Sequence, residues 1–501
     1  MSEASNIALE ALKKLREEEG PNATFPSDKI WLFASEKPES ANRPGAINWL
    51  RNNGYIEQTG RMANAVTEAR AGSKTPEYRF GPRFNGSSAK SGQGGDQSLA
   101  ALVETLQLAC DSHLKTSRIQ LLRFVAALLT KRFIILTGLS GSGKTKLAQA
   151  FARWITPPSP ESFAVVPVGA DWTSNEHILG YPDNLNGGYF QQTALKLILQ
   201  AEKHPEIPHF LILDEMNLSH VERYFADLLS LIESNDKIWL HHDDETKRGI
   251  KARLALPENL FIIGTVNVDE TTYMFSPKVL DRANVIEFRV SESDMADFLD
   301  NPVAPDLDKL AEPGTNGANF GKDFVAAASR QHDAALSDAQ RGQLKAELLL
   351  FFKALGEHNA EFGFRVGKEI ARFLHFHETL SGGVLDFRSA MDAQIVQKLL
   401  PKLHGSRNKL TGLLWTLAAL CQEDHAWKAE PDETKRDEAF DKFLKDVRAA
   451  VEAGDEKFDP ARAADKLRAD GKEAHFPLSF DKLARMWRVL EANGFVSFSE
   501  A

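Results

Sequence analysis

A glycine-rich segment that ends in lysine and threonine is the part of the chain whose residue types and spacing most directly predict chemistry. Residues 138–145 read GLSGSGKT, which is the spacing G-x-x-x-x-G-K-T of a phosphate-binding loop. The loop follows the apolar run FIIL and precedes the helical stretch Lys146–Trp154. Backbone N–H groups of such a loop surround phosphate oxygens, and the helix N-terminus adds the positive end of its dipole. The sequence therefore predicts a nucleoside-triphosphate site rather than a glycine-rich turn without a ligand.

The side chains of this loop have separate expected roles. Lys144 is expected to reach the β- and γ-phosphates, and the hydroxyl of Thr145 to bind Mg²⁺. The remaining loop residues predicted to bind the nucleotide are Gly138, Ser140, Gly141, Ser142 and Gly143. A nucleotide together with Mg²⁺ is thus the expected ligand.

An acidic pair follows a second apolar run. Residues 210–215 read FLILDE, so a buried strand is expected to end at Asp214 and Glu215. Asp214 is predicted to bind nucleotide and Mg²⁺, the metal through a water molecule, and Glu215 is expected to activate the attacking water. The presence of Glu215 favours a hydrolase over a passive nucleotide sensor.

Three polar residues farther along the chain are also candidates. Asn267 ends the run FIIGTVN and is expected to orient water beside the γ-phosphate. Arg282 ends PKVLDR and is the candidate arginine finger, because in an oligomer such a cation stabilises the transition state in the neighbouring subunit. Arg365, in FGFR, is predicted to contact phosphate from a helical lid. The alternatives are a surface salt bridge for Arg282 and a helix N-terminal arginine without a ligand for Arg365.

Apolar runs and helical patterns alternate between residues 99 and 290. The runs at 133–136, 209–213 and 261–264 are typical of buried parallel strands, and 163–168 is a less regular fourth. This alternation predicts an α/β P-loop domain with a central parallel sheet over residues 99–290.

The remaining part of the chain, residues 291–501, is helical in pattern, with apolar cores at 348–352 and 410–420. We expect an α-helical lid followed by a C-terminal helical domain. The charge-dense stretch 422–474 is predicted to be a solvated helical insertion rather than a site.

A Gly- and Ser-rich segment at 84–98 has the composition of a flexible linker and separates off a small α+β unit at 1–83. Three helices and a hairpin in this unit predict a winged helix. The expected helices and strands lie at 5–20, 27–35, 44–53, 55–58 and 77–80. One interpretation is DNA contact through Arg43, Arg51 and the wing, and the other is a protein-docking domain. The balance of 12 Lys/Arg against 11 Asp/Glu favours neither.

Composition excludes several classes of protein. The 501 residues carry a formal net charge of −10, so the whole chain is not a basic nucleic-acid coat. Two cysteines exclude a disulfide scaffold and a Cys-based zinc module. No apolar run approaches the ~18–20 residues needed to cross a bilayer, and the N-terminus lacks an apolar signal core. We therefore expect no membrane association and a cytoplasmic location.

Several stretches together resemble the AAA+ motors of the McrB type, the nucleotide-driven subunits of modification-dependent restriction systems. They are DEMNLS at 214–219, GTVNVDE at 264–270, SPKVLDRANVIE at 276–287, Arg365, IVQKLLPKLHGSR at 395–407 and residues 476–498. The resemblance covers about residues 120–500. It implies assembly into a homo-oligomeric ring, usually hexameric. It also implies a separate McrC-like nuclease subunit, remodelling or translocation of DNA, and a role in prokaryotic restriction and antiviral defence.

The resemblance includes one departure that bears on the nucleotide. GTP-using McrB proteins carry Met-Asn-x-x-Asp at the third strand, whereas Val266 and Glu270 stand here in place of the Met and the Asp. No guanine-reading N-K-x-D motif is present in the sequence either. ATP is therefore the predicted nucleotide and GTP the less favoured one.

Two other functions need the same nucleotide site: a MoxR-like protein remodeller that uses no DNA, and a nucleotide-gated switch, against which Glu215 and Arg282 argue. Two DETK segments, at 244–247 and 432–435, match the E-x-K triplet of some metal-dependent nucleases, but both lie in charged, loop-like surroundings. We attribute them to chance. The histidines at 241–242 and 375–377 are interpreted as surface or core residues.

Overall fold

The computed structural model divides into two compact units, residues 1–94 and 95–501. The residues that it describes are 7–8, 11–12, 14–15, 24–34, 56–64, 74–80, 94–110, 114, 116–158, 161–234, 236–243, 245–268, 273–290, 292–300, 306–312, 316–329, 335–430 and 432–501.

The first unit contains a small antiparallel sheet. Its strands are β1 (Thr24–Pro26), β2 (Ile56–Asn64) and β3 (Lys74–Phe80), in the order β1-β3-β2. A 3-10 helix at Ser27–Leu32 lies where a second helix was expected, and β1 was not anticipated. The two hairpin strands are longer than predicted. Arg43, Arg51 and the expected third helix lie outside the described residues, so the winged helix stays a prediction.

The second unit begins with an α/β domain. Its elements are, in chain order, α1 (Gly94–Cys110), α2 (Arg118–Thr130), β4 (Phe133–Gly138), α3 (Lys144–Ile155), β5 (Phe163–Pro167), α4 (Glu176–Leu179), β6 (Tyr181–Pro182), β7 (Tyr189–Phe190), α5 (Thr193–Lys203), β8 (His209–Asp214), α6 (Val221–Tyr224), α7 (Ala226–Ser234), β9 (Ile238–Trp239), α8 (Glu245–Arg248), β10 (Arg253–Leu254), β11 (Leu260–Asn267), α9 (Pro277–Leu280) and β12 (Asn284–Phe288). Helix α1 begins inside the segment predicted to be a linker.

A parallel sheet with the order β12-β4-β11-β8-β5 forms the centre of this domain among the described residues. Strands β4, β8 and β11 are buried almost throughout, which explains their continuous apolar runs. The predicted α/β fold with a parallel sheet is confirmed. Because parallel strands end at the same edge, Gly138, Asp214 and Asn267 lie along the carboxyl edge of the sheet.

Strand β12 was missed by the sequence analysis because its apolar pattern is interrupted by polar residues. Asn284 is buried, and Glu287 is paired with Lys482 and Arg485. These two ion pairs connect the edge of the sheet to a helix near the end of the chain. Ion pairs with residues so distant in the sequence leave no local pattern that would identify the strand.

The C-terminal region is helical, as predicted. Its elements are α10 (Glu292–Asp300), α11 (Gly321–Ala328), α12 (Asp338–Gly356), α13 (Phe364–Leu380), α14 (Phe387–Gln394), a π-helical turn at Ile395–Leu399, β13 (His404–Ser406), α15 (Arg407–Gln422), α16 (Glu433–Ala453), α17 (Pro460–Ala469), α18 (Pro477–Asn493) and β14 (Phe495–Ser497). None of the helices in the described part of the chain is both long and apolar enough to span a bilayer.

Residues 422–474 are predicted to be a solvated helical insertion, but one face of this stretch is buried, and for that face the prediction is wrong. Phe440 and Val447 of α16 are buried, and the ring of Trp427 packs 5.5 Å from that of Phe440. Asp459 accepts a hydrogen bond from Nε1 of the buried Trp487 at 3.0 Å. The charged residues cover the outer face, and the apolar residues at helical spacing join the helical core.

A buried histidine in α13 predicts a pH dependence of stability. Burial lowers the pKa of His377 to about 4, opposed in part by Asp386, and neither ring nitrogen hydrogen-bonds to any residue that the structure describes. In the unfolded chain His377 is therefore protonated as the pH falls below about 6.5, whereas in the folded chain it stays neutral down to about pH 4. The free energy of unfolding should fall by about 2 kcal/mol between roughly pH 7 and pH 5 on this account.

Denaturant unfolding of the His377→Leu variant at the two pH values is expected to lose this part of the pH dependence. The exposed His242, changed to leucine, is the control and should leave it unchanged. Equal pH dependence in wild type and His377→Leu would contradict a buried neutral histidine.

Candidate functional site

The glycine-rich loop joins the end of β4 to the start of α3. Gly138 has φ 152°, and a Cβ there would lie 2.3 Å from the carbonyl oxygen of Phe288, so only glycine fits beside β12. Gly141 and Gly143 have φ of 75° and 91°, and a Cβ on either would meet no described atom within 4 Å. The loop therefore combines left-handed backbone with open space in front of it.

Lys144 is nearly buried at the start of α3. Its ammonium donates to the carbonyl oxygens of Gly138 at 2.9 Å and Leu139 at 2.6 Å, and to Oγ of Ser142 at 3.3 Å. Gly143, the N-cap of α3, has no side chain that accepts from the first-turn N–H groups. An ammonium inside the loop and an N-terminus without a side-chain cap are the donors that a phosphate chain requires, so these residues fit a nucleotide.

The two predicted metal ligands lie next to each other. Oδ1 of Asp214 accepts hydrogen bonds from the hydroxyls of Thr145 and Thr265, both at 2.7 Å. A carboxylate beside a hydroxyl is a hard-oxygen set of the kind that Mg²⁺ uses together with phosphate oxygens and water. Thr265 was missed by the sequence analysis. The signal was present, because Thr265 and Asn267 are two residues apart in a strand and share a face.

The acidic residue predicted to activate water is held by the backbone and by an amide. Glu215 has φ 54°, a left-handed conformation that is strained for a non-glycine residue, and its N–H donates to Oγ1 of Thr265 at 3.1 Å. Nδ2 of Asn267 donates to Oε1 of Glu215 at 3.0 Å. The structure thus brings Glu215, Asn267, Asp214 and Thr145 together at the end of the P-loop.

The two predicted arginines lie elsewhere. Arg282 precedes β12, and Arg365 is in the first turn of α13. Both guanidinium groups pair with the carboxylate of Glu233 in the last turn of α7. Arg282 also donates to the carbonyl oxygen of Lys278 at 2.8 Å. Burial lowers the pKa of Arg282, and the neighbouring Arg365 lowers it further.

The arginines lie near the amino ends of the parallel strands, whereas the P-loop lies at their carboxyl ends. Asn284, two residues after Arg282, pairs with Ile134 near the start of β4, whereas the P-loop follows Gly138 at its end. With a rise of ~3.3 Å per residue the separation is roughly 20 Å. The structure therefore does not bring Arg282 or Arg365 to the P-loop of the same chain.

A cavity of about 600 Å³ lies beside the P-loop. Ser142, Gly143 and Leu147 form one wall, and the start of α2, with Gln120 and Arg123, forms another. The segment 288–290, which contains Arg289, closes a third side. No motif marked this cavity in the sequence, because its walls come from three separate parts of the chain.

The remaining motifs have structural explanations. Nε2 of His241 lies 2.9 Å from the carbonyl oxygen of Ile250. Asp432, in the second DETK segment, caps α16 by accepting from the backbone N–H groups of Thr434 and Lys435. Asp244 of the first DETK segment lies outside the described residues.

Comparison with known proteins agrees with this fold. Residues 133–283 match the AAA domain family of the dynein-related subfamily, and residues 319–495 match a domain of unknown function, DUF8727. The chain is 28% identical over 199 residues to the Type IV methyl-directed restriction enzyme EcoKMcrB subunit of Escherichia coli (strain K12). The match covers 37% of this chain and 40% of that protein, so the chain spans less than half the length of this relative.

A solved structure of a provisionally assigned ATPase from Cytophaga hutchinsonii is also similar. It has a TM-score of 0.43 and 12% identity, and the similarity covers 61% of this chain and 88% of that chain. The family match and the McrB relative confirm the predicted resemblance. Residues 133–283 thus form an AAA domain, and the chain resembles a subunit of the McrB type.

Proposed function

We propose that the protein is a Mg²⁺-dependent ATPase that forms a homo-oligomeric ring, usually hexameric in such proteins. The ring would remodel or translocate DNA for a separate, McrC-like nuclease subunit in prokaryotic restriction and antiviral defence. The observation that carries the enzymatic part is the cluster of Thr145, Asp214, Glu215 and Asn267 beside Lys144. The relative named as a restriction-enzyme subunit supports the biological part.

The side chains divide the hydrolysis between them. Lys144 would exchange the loop carbonyls for β- and γ-phosphate oxygens, while Thr145 and Asp214 would hold Mg²⁺. Bound Mg²⁺ supplies charge neutralisation for the phosphates. The carboxylate of Glu215, which Asn267 orients, would accept a proton from the attacking water.

The position of the arginines supports assembly into a ring. By the strand rise, Arg282 lies roughly 20 Å from the P-loop of its own chain, which is too far for contact. Arg365 lies beside it on the same carboxylate of Glu233. In a head-to-tail assembly the surface of one copy that carries the two arginines faces the P-loop of the next copy. A repeated head-to-tail contact closes into a ring when the rotation between copies permits. Both arginines would then act on the neighbouring nucleotide.

The cavity beside the P-loop is the proposed site for the base and ribose, and ATP is expected to be preferred over GTP. Phosphate release with each nucleotide, at equal concentration and saturating Mg²⁺, measures the preference. A turnover ratio about tenfold in favour of GTP, worth ~1.4 kcal/mol in the barrier, would overturn this choice of nucleotide. It would leave the roles of Lys144, Asp214 and Glu215 untouched, since these groups contact phosphate and metal.

A MoxR-like remodeller without DNA is the second candidate, because the near-neutral charge of residues 1–83 gives weak support for phosphate-backbone contact. Labelled duplex DNA added to the full chain, and to residues 95–501 alone, distinguishes the two. Binding and stimulated hydrolysis that require residues 1–94 support the DNA motor. Unchanged hydrolysis and no binding to the full chain favour the protein remodeller.

A further inference from the structure

We infer that Glu233 is a positioning residue that holds Arg282 and Arg365 in the unassembled chain and gives both up to the phosphates of a neighbouring copy. The inference rests on the proposed function, because it assumes that the two arginines act on a neighbour's nucleotide. It adds a residue that sets how readily the copies assemble.

The first observation is the sharing of one carboxylate by two guanidinium groups. Oε2 of Glu233 pairs with Arg282 and Oε1 with Arg365. Two positive charges are thus balanced by one negative charge. The remaining positive charge suits an anion with more charge than a carboxylate, such as a triphosphate.

The second observation is the cation-rich cavity around this group. The cavity has a volume of about 260 Å³, and its only carboxylates among the described lining residues are Glu233 and Glu369. Its cationic lining residues, besides the two arginines, are Lys131, Arg132, Lys368 and Arg372. Removing Glu233 from the arginines would therefore leave a strongly positive site at the edge of the sheet.

The third observation is that the backbone on both sides of Arg282 is held in place by two lysines. Nζ of Lys131 donates to the carbonyl oxygen of Asp281 at 2.7 Å, and Nζ of Lys398 donates to that of Ala283 at 2.9 Å. The side chains of Lys131 and Lys398 are 12% and 1% exposed, and they pair with Glu369 at 2.6 and 2.7 Å. A change of partner by Arg282 therefore needs no movement of this backbone, but a rotation of the side chain that also releases the carbonyl oxygen of Lys278.

The fourth observation concerns a buried N–H of Arg282 and the position of Glu233 in its helix. Nε of Arg282 is buried and makes no hydrogen bond to any residue in the described part of the chain. Glu233 lies in the last turn of α7, where the negative end of the helix dipole disfavours a carboxylate. The arginines thus stabilise a carboxylate that its own helix disfavours, and Arg282 has one donor, Nε, that no described residue uses.

Glu233 and the phosphates of a neighbour consequently compete for the same two cations. Glu233→Gln keeps the shape of the side chain and removes the charge. Turnover per chain should then reach half of its maximum at a protein concentration lower by about fivefold, the effect of losing two partly exposed ion pairs. The maximal turnover is expected to change by less than about twofold, because the arginines themselves remain.

Phosphate release measured over a range of protein concentrations tests this. Glu202→Gln is the matched control, since Glu202 has a 30% exposed side chain against 32% for Glu233 and pairs only with Lys251 among the described residues. Its concentration dependence should equal that of wild type. Glu233→Asp keeps the charge and is expected to behave like wild type as well.

An unshifted half-maximal concentration in Glu233→Gln, or a loss of maximal turnover with wild-type thermal stability, would overturn the inference. Wild-type turnover that does not depend on protein concentration, from a protein whose mass in solution stays that of a monomer, would instead contradict the proposed ring, and the inference with it. The two failures are therefore distinguishable in one set of measurements.

Discussion

Glu215→Gln is expected to bind nucleotide like wild type and to hydrolyse it about 10²–10⁴-fold more slowly, the usual contribution of a positioned general base. The amide keeps an oxygen that can accept the hydrogen bond from Asn267, so the geometry of the pair is retained. It cannot take a proton from water. The loss should therefore appear in turnover and not in affinity.

Lys144→Ala is the matched comparison, because it changes the other half of the site. The ammonium donates to two carbonyl oxygens of the P-loop, and without it nucleotide binding should be abolished. Nucleotide affinity and phosphate release, measured separately for both variants, separate phosphate binding from water activation. Normal turnover in Glu215→Gln would contradict the role of Glu215 in activating water.

The parts of the site that were predicted from sequence are those made by continuous segments. The P-loop, Asp214 with Glu215, and Asn267 each follow an apolar strand, and parallel strands bring their carboxyl ends to one edge. Their mutual hydrogen bonds follow from this topology. Local patterns were enough because each residue is positioned by its own strand.

The parts that were missed depend on contacts between distant segments. Glu233 pairs with Arg365 across 132 positions of the chain, and nothing near Glu233 in the sequence indicates this. The cavity beside the P-loop likewise takes its walls from separate elements. Strand β12 was obscured because its polar residues have distant partners: Nδ2 of Asn284 donates to the carbonyl oxygen of Ala127, and Glu287 pairs with Arg485.

The placement of Arg282 predicts the other large effect. Arg282→Ala alone should lower turnover by about 10³-fold or more, the contribution of an arginine finger to phosphoryl transfer. Its own P-loop remains intact, so nucleotide affinity should be nearly that of wild type. Arg341→Ala, which removes an exposed arginine from α12, is the control and should hydrolyse normally.

Mixing Arg282→Ala subunits with Lys144→Ala subunits tests whether the arginine acts across an interface. In a random ring of equal amounts, about a quarter of the interfaces combine an intact P-loop from one copy with an intact Arg282 from its neighbour. Turnover should rise from near zero to about that fraction of wild type. Neither variant can recover alone, because every interface in its own ring lacks the same group. If mixed rings demonstrably form and no activity returns, Arg282 does not act in trans. Its pairing with Glu233 is then only an ion pair without a role in hydrolysis.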